Sequence, residues 1–370
     1  MRNPTRPIVS TPRDERGYSL IELIVSMGLM TVVMAATLGG LSDATKANDA
    51  VLNVTGMNSA IRAGMDLLVR DMLQVGSGLP PGHVIDVPSG AGATPILLPG
   101  PPGSAFTLPA GSTDIPAVLP LPGAGPTIGG VATDVLITLT ADNTFLNMAL
   151  SAMTDTTVDI AAGPDLATGP DRVVPGQLMM LQKGSVTTLV QVTHVDLPNR
   201  RLTFADGDSL NLNQSAAAAG NLTALNAAEP ANTASAANIS RVRMVSYYID
   251  ADTDPQHPRL VRRINNGHQT TFDNTLGNAV GMDIENLQFS FDLVDGIGNP
   301  ANVRMDAADR AGTGRCAPEL CVETQIRKVN IALTGRSQNA VNSTSRMFRN
   351  TLSSQVSFRG MAFVDEYRTP

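Results

Sequence analysis

The chain is poor in the side chains that usually mark a catalytic or nucleic-acid-binding protein. Its 370 residues include no tryptophan and only four histidines and two cysteines. Lysine and arginine are absent between Asp71 and Asp171, and the formal net charge is −7. A protein that binds nucleic acid through its phosphates needs clustered cations, so we expect no nucleic-acid partner. No metal-binding or catalytic spacing connects the histidines, which are His83, His194, His257 and His268.

Motifs for catalysis and metal binding are also missing. There is no Gly-x-Ser-x-Gly, no His-Glu-x-x-His and no phosphate-binding glycine loop. Asp250, Asp252 and Asp254 resemble the first half of a calcium loop, but Pro255 and Val261 occupy the positions that require glycine and a bidentate glutamate. We interpret these aspartates as a solvated turn. The sequence therefore predicts no enzyme activity, no cofactor and no metal site.

What the chain does have is one long apolar run near its N-terminus. From Tyr18 to Leu41 the only charged side chain is Glu22, and the run exceeds the roughly 20 residues that a membrane-spanning helix needs. A charge in hydrocarbon is costly unless it is paired. Cleavage just before Tyr18 would create an α-amine four residues from Glu22. This pattern indicates a cleaved, membrane-held segment that pairs with a copy of itself or with a relative.

The octet Arg16-Gly17-Tyr18-Ser19-Leu20-Ile21-Glu22-Leu23 resembles the class III signal of type IV prepilins and type II secretion pseudopilins. The resemblance implies cleavage after Gly17 by a prepilin peptidase, N-methylation of Tyr18, and a role for Glu22 in subunit assembly. An ordinary signal peptide would have a shorter apolar stretch followed by a small-residue cleavage site. A plain membrane anchor would leave Glu22 unexplained.

The leader, residues 1–17, predicts the orientation in the membrane. Its positive residues outnumber Asp14 and Glu15, and positive flanks stay cytoplasmic. We therefore expect a single-pass inner-membrane protein with a periplasmic head before assembly, and a place in the pilus at the cell surface afterwards. The positive residues are Arg2, Arg6, Arg13 and Arg16.

A helical period continues beyond the apolar run. One stripe recurs at steps of three and four, the spacing of one helix face: Val54, Met57, Ile61, Met65, Leu68, Met72 and Val75. Charged residues fall largely on the other side: Arg62, Asp66, Arg70 and Asp71. We predict one helix from Tyr18 to Val75 within a segment 18–77, with residues 18–41 in the membrane and the later stripe packed on a globular head.

Gly39 and Gly40 interrupt this helix near the membrane exit. Glycine costs about 1 kcal/mol per site relative to alanine in a helix. In pilins, a helix-weakening residue in this region is associated with local melting when subunits leave the bilayer, and the resemblance implies the same role here. Close helix packing at small residues is an alternative explanation.

The remainder of the chain divides by composition. Residues 78–130 contain twelve of the 25 prolines, which opposes helices and central strands; we expect an irregular, partly ordered segment. Residues 131–370 form the expected head, in which Gln214 to Asn238 is a predicted loop. Alternating apolar segments predict antiparallel strands at 134–139, 177–181, 188–195, 201–204, 241–249, 259–263, 284–294 and 327–334. The predicted fold class is α+β, with a long N-terminal pilin helix packed on a mainly antiparallel β headgroup.

Cys316 and Cys321 bracket four residues. An oxidising compartment outside the inner membrane favours a local disulfide. Two cysteines alone do not make a zinc site, and the spacing does not match the Cys-x-x-Cys redox motif.

The segments Val245–Ile249, Leu260–Arg263, Met282–Phe289 and Ile326–Leu333 are similar to those of the PilW group of large minor pilins. This resemblance implies a minor pilin that acts in pilus assembly or initiation, near the tip. Its partners would be other minor pilins, the major pilin, the prepilin peptidase and the inner-membrane assembly machinery. The alternatives are a pseudopilin of a type II secretion system and a pilus-tip adhesion module.

Overall fold

A computed structural model describes residues 17–101, 106–163, 165–230, 233–265, 268–269, 272–273, 277–294, 296–340 and 347–361. The leader therefore lies outside the described residues, except for Gly17. By its internal contacts the chain divides into two compact units, Met1–Asn53 and Val54–Pro370. The fold class predicted from the sequence is confirmed: one long apolar helix and a mostly antiparallel β headgroup.

The N-terminal helix α1 is Leu20–Met72, shorter at both ends than the predicted Tyr18–Val75. It starts later because Ser19 serves as the cap that precedes it: the Ser19 Oγ accepts a hydrogen bond from the Glu22 N–H at 3.2 Å. It ends earlier because turns occupy residues 73–78. The second unit contains residues 54–72 of this helix.

The strands pair antiparallel throughout the described sheets and lie in three stretches of the chain. The first stretch holds β1 (Val84–Asp86), β2 (Leu97–Leu98), β3 (Phe106–Thr107), β4 (Asp114–Pro116), β5 (Val118–Leu121), β6 (Thr127–Ile128), β7 (Val131–Ala132) and β8 (Val135–Ala141). The second holds β9 (Met148–Met153), β10 (Thr157–Ile160), β11 (Leu178–Lys183), β12 (Val186–Gln191), β13 (His194–Asp196) and β14 (Arg201–Thr203). The third holds β15 (Ala237–Asp250), β16 (Arg259–Ile264), β17 (His268–Gln269), β18 (Phe272–Asp273), β19 (Asn278–Met282), β20 (Ile284–Leu293), β21 (Ile326–Arg336) and β22 (Arg349–Ser357).

These strands match the segments predicted from alternation, except that the predicted strand at 188–195 is divided between β12 and β13. Strands β11 and β12 form a hairpin in which Lys183 pairs with Val186. Eleven strands form one large sheet in which the path runs β12-β11-β15-β9-β10-β14-β13. Strands β8 and β16 also pair with β15, β5 pairs with β8, and β19 pairs with β16. The long strand β15 is shared by neighbours along its whole length, so it organises the sheet.

Residues 78–130, expected to be irregular, contribute short strands and buried side chains to the head. Ile85, Val87 and Ile115 are fully buried in one apolar cluster with residues of the large sheet. Among the described strands, β5 pairs only with β8, and it contains Pro120. Proline is tolerated there because an edge strand can do without one outward N–H.

A second sheet has the order β20-β21-β22, and the predicted stripe of α1 packs with it in one core cluster. Met57, Ile61, Met65, Leu68, Met72 and Val75 are buried, as predicted. Two glycines permit the close approach of helix and sheets: a Cβ on Gly64 would lie 2.9 Å from Leu260, and one on Gly335 would lie 2.7 Å from Ile61.

The predicted loop from Gln214 to Asn238 is wrong in part. It contains a short helix, α2 (Leu222–Ala227), and β15 begins at Ala237. Asn221 caps α2 by accepting a hydrogen bond from the Ala224 N–H at 2.8 Å, and Leu225 is buried in a third apolar cluster. The alanine-rich composition concealed a cap and a helix whose apolar residues pack on the sheet.

Candidate functional site

Gly17 and Tyr18, the residues of the predicted cleavage site, precede the helix and have no regular structure. Tyr18 is 87% exposed, and nothing lies within 4 Å of a Cβ placed on Gly17. An exposed peptide bond outside regular structure is accessible to a peptidase. The geometry at this bond is therefore compatible with cleavage.

Glu22 lies in the first turn of α1, and its carboxylate has one partner in the described structure. The Ser19 N–H donates to Glu22 Oε2 at 3.1 Å, while Ser19 Oγ accepts from the Glu22 N–H at 3.2 Å. This reciprocal pair is a capping box, which satisfies donors that the first turn of a helix leaves open. The position at the helix N-terminus also favours a negative charge.

The role of Ser19 was missed in the sequence interpretation, although the Ser-x-x-Glu spacing of Ser19 and Glu22 is a known capping signal. Glu22 Oε1 accepts no hydrogen bond within the described residues. The cap therefore orients the carboxylate and leaves one oxygen available to a donor outside the chain.

Around Glu22 the helix surface is apolar and exposed. Leu20, Ile21, Leu23 and Ile24 are each more than half exposed, and every residue from Gly17 to Asp49 is exposed. By length and composition α1 could cross a membrane, and its most apolar window is not buried within the protein. A surface of this kind requires an apolar environment or a partner helix.

Hydroxyl groups in the apolar part of α1 are satisfied by the helix itself. Ser26 Oγ donates to the Leu23 carbonyl at 2.9 Å, and Thr31 and Thr37 donate to carbonyls three and four residues earlier. These bonds remove the cost of an unsatisfied polar group in hydrocarbon. Glu22 is thus the one charged residue of this apolar run, and its carboxylate retains unused hydrogen-bonding capacity among the described residues.

Gly39 and Gly40 lie inside the continuous helix, and nothing lies within 4 Å of a Cβ at either position. The backbone of the single chain is helical there. Whether these glycines melt during assembly stays a prediction.

The stripe-bearing part of the helix is held to the large sheet by a polar cluster that the sequence interpretation did not foresee. Asp71, predicted to lie away from the stripe, is partly buried instead. Its Oδ2 accepts hydrogen bonds from the Tyr247 hydroxyl and from Arg262 Nε, both at 2.6 Å. Burial raises the pKa of the Tyr247 phenol, and the adjacent Asp71 carboxylate raises it further. Tyr247 therefore stays protonated and donates to Asp71.

The cysteines form the predicted disulfide, with a Cα–Cα distance of 5.5 Å between Cys316 and Cys321. Cys321 is buried, and its N–H donates to the Asp309 carbonyl at 3.1 Å. Asp309 caps the short helix α3 (Ala307–Arg310) together with Asp306. The disulfide thus belongs to a folded loop of the head, distant in sequence from Glu22.

In the segment that resembles a calcium loop, Asp250 binds side chains of the protein itself. Asp250 accepts from Thr253 Oγ1 at 2.7 Å and from Arg259 Nη2 at 2.8 Å. Burial opposes ionisation of Asp250, but the hydrogen bonds from Thr253 and Arg259 outweigh it and lower its pKa. Among the described residues that were searched, no group of three or more potential metal ligands occurs.

Comparison with known proteins identifies one feature. A family described as the prokaryotic N-terminal methylation motif matches residues 12–38, which include Gly17, Tyr18 and Glu22. No curated protein and no solved structure matches the chain. The chain thus carries a class III prepilin signal, which supports a type IV pilin or pseudopilin processed by prepilin peptidase and anchored in the membrane before assembly.

Proposed function

We propose that this protein is a minor pilin of a type IV pilus, similar to the PilW group, that acts in pilus assembly or initiation near the fibre tip. The observation that carries the proposal is the orientation of Glu22: one carboxylate oxygen is held by Ser19, and the other has no partner in the described structure. The methylation motif supports the corresponding processing of Tyr18.

Pairing between subunits is favoured because an unpaired Glu22 carboxylate in an apolar environment is energetically costly. A carboxylate in an apolar helix bundle is strongly destabilising when it has no partner. After cleavage, the α-amine of Tyr18 on an adjacent subunit supplies a cation at the same depth in the bundle. Pairing of this amine with Glu22 favours one axial register, whereas the remaining apolar side chains allow many registers.

The minor role is supported by the head. The second unit extends from Val54 to Pro370. Its described residues include two sheets of three or more strands and three apolar clusters. A head of this size is poorly suited to dense repetition along a thin fibre. A position at the end of the fibre imposes no such limit.

The proposal is tested by mass spectrometry of the N-terminal peptide from cells that contain the prepilin peptidase. We expect a mature chain that begins at Tyr18 with one added methyl group, recovered in sheared fibres. An intact leader in assembled fibres would contradict the proposal. Glu22→Val should abolish incorporation into fibres, and Leu23→Val, at an adjacent exposed position of the same helix, is the matched control.

The methylation motif is equally compatible with a pseudopilin of a type II secretion system. The two functions differ in the machine that carries the subunit. Recovery with the secretion apparatus and loss of secretion in a deletion strain, with pili unaffected, would favour the pseudopilin.

A further inference from the structure

Strand β22 lies at the edge of the three-stranded sheet and pairs only with β21 among the described strands. The bonded pairs at its two ends are known: the Ser337 N–H donates to the Phe348 carbonyl at 2.8 Å, and the Phe358 N–H donates to the Arg327 carbonyl at 2.9 Å. Bonded residues alternate along an antiparallel pair. The backbone N–H and C=O groups of even-numbered residues in β22 therefore point towards β21. Those of odd-numbered residues point away from the sheet.

These outward backbone groups have no partner in the described structure. Within the described part of the chain, no hydrogen bond other than the pairing with β21 reaches a backbone atom of residues 349–357. The pairing with β21 contains no register shift, so the edge is regular over nine residues. The residues whose backbone groups point outward are Arg349, Thr351, Ser353, Gln355 and Ser357.

Two other edge strands of the described head, β12 and β20, are blocked. On β12, the Thr187 N–H donates to the Asp86 carboxylate and the Gln191 N–H donates to the Asn213 side chain, each at 3.0 Å. On β20, Phe291 exchanges two backbone hydrogen bonds with Val303. Natural proteins block their strand edges to prevent unwanted pairing. The open edge of β22 is the exception among these strands.

The side chains around β22 indicate what kind of strand would fit. On the outer face, Gln355 Nε2 donates to Asp292 at 3.0 Å and to Asn330 Oδ1 at 2.8 Å. This face forms a shallow groove of about 450 Å³ lined mostly by amide and hydroxyl side chains. On the inner face, Leu352 and Val356 contact the apolar core. The arginines at this edge already have carboxylate partners, Arg304 in Asp134 and Arg349 in Glu285. An added strand therefore needs no charge, and it would place apolar side chains towards the core and polar ones outside.

The direction of the helix argues against antiparallel pairing of β22 with the same strand of a second copy of this chain. Asn350 donates to Asn58 at 2.8 Å near the start of β22, and Gly360, just beyond its end, lies against Val75. Residues 58–75 therefore run in the same direction as β22. A twofold antiparallel pairing of two β22 strands would reverse this helix in the second copy. Subunits anchored in one membrane by their N-termini need their helices to point the same way.

We propose that β22 accepts an extended, uncharged strand from a different pilin-type subunit, through main-chain hydrogen bonds. This inference rests on the proposed function, since it requires a neighbouring subunit. Strand addition to an open edge obtains its affinity from the backbone and its specificity from alternate side chains. The five outward-facing residues of β22 would pair with the incoming strand.

Amide hydrogen exchange tests this proposal directly. In the full chain in detergent, the amides of Thr351, Ser353 and Gln355 should exchange fast, while those of Leu352 and Ser354 are protected by β21. In isolated fibres the odd-numbered amides should slow by roughly tenfold or more. Fast exchange of these amides in fibres would overturn strand addition. Absence of the processed chain from fibres would instead contradict the proposed function.

A proline substitution distinguishes the contribution of the backbone N–H from that of the side chain. Ser353→Pro removes one outward N–H and leaves the ladder to β21 intact; Ser353→Ala removes only the hydroxyl group. We expect Ser353→Pro to lose crosslinking between a photoreactive residue at Gln355 and another pilin-type subunit, and Ser353→Ala to keep it. Equal crosslinking in both variants, or a crosslink between two copies of this chain, would overturn the proposal. If Ser353→Pro lowers the melting temperature of the head, the exchange experiment decides alone.

Discussion

Ser19 and Glu22 bind each other at the start of the helix, with the Ser19 N–H 3.1 Å from Glu22 Oε2 and the Glu22 N–H 3.2 Å from Ser19 Oγ. The residue that is expensive to place in a membrane is thereby partly satisfied by its own chain. One oxygen remains for a second subunit. The same cap also determines that the helix begins at Leu20.

Loss of this cap should weaken the helix start. Ser19→Ala removes the acceptor for the Glu22 N–H and should cost about 1 kcal/mol of local stability. Ser19→Thr retains a hydroxyl cap and is the control. The measurement is amide exchange at Glu22 in detergent micelles; identical exchange in Ser19→Ala and the unaltered chain would show that the cap does not operate.

The Asp71 cluster should couple the helix to the large sheet. Tyr247→Phe removes a hydrogen bond to a charged group and should lower the free energy of unfolding by about 1.5–3 kcal/mol. When Asp71 is already replaced by Asn, Tyr247→Phe should lower the free energy of unfolding by less, because the Tyr247 hydroxyl interacts directly with the Asp71 carboxylate. Chemical denaturation of the four variants gives the coupling energy. Additive effects would mean that the charge of Asp71 does not strengthen the hydrogen bond from Tyr247.

Stability should fall in acid through Asp250. Because the pKa of its carboxyl is lowered in the folded head, its contribution is present above the unfolded value of 3.8 and is lost as pH falls through the folded value. Asp250→Asn should therefore reduce the unfolding midpoint at neutral pH, with the difference from the unaltered chain vanishing in strong acid. Asp252→Asn, an exposed neighbour, should leave the profile unchanged. If the unfolding midpoints of Asp250→Asn and the unaltered chain differed by the same amount at all pH values, ionisation of Asp250 would not be the cause of the acid sensitivity.

Gly39 and Gly40 permit a test of helix melting. Replacing both with alanine should stabilise the helix by about 1 kcal/mol per site and reduce incorporation into fibres if melting is needed. Gly28→Ala, at a helical site that is equally open, is the control. Gly40→Asn keeps a weak helix former but adds bulk, so its normal assembly would favour melting over close packing. Normal assembly of the double alanine variant would exclude the melting role.

Local patterns in the sequence predicted much of the architecture. The period of the α1 stripe and the alternation in strands such as β20 and β21 are direct consequences of backbone geometry, so their buried residues could be identified in advance. The helix ends were less predictable, since they depend on Ser19 and on the turns after Met72. The order of residues 78–101 and 106–130 was underestimated because their docking on the sheet depends on contacts with distant segments.

The sequence by itself determined the membrane-compatible helix, its single acidic residue and the processing signal, because all three are contained within one continuous stretch of chain. Only the tertiary structure decided that Asp71 binds Tyr247 and Arg262, that β12 is blocked, and that β22 has no partner beyond β21 among the described strands. Those features depend on which distant segments come together. Pairing of strands is a long-range outcome of packing, and no local pattern in residues 349–357 specifies whether a partner strand lies beside them.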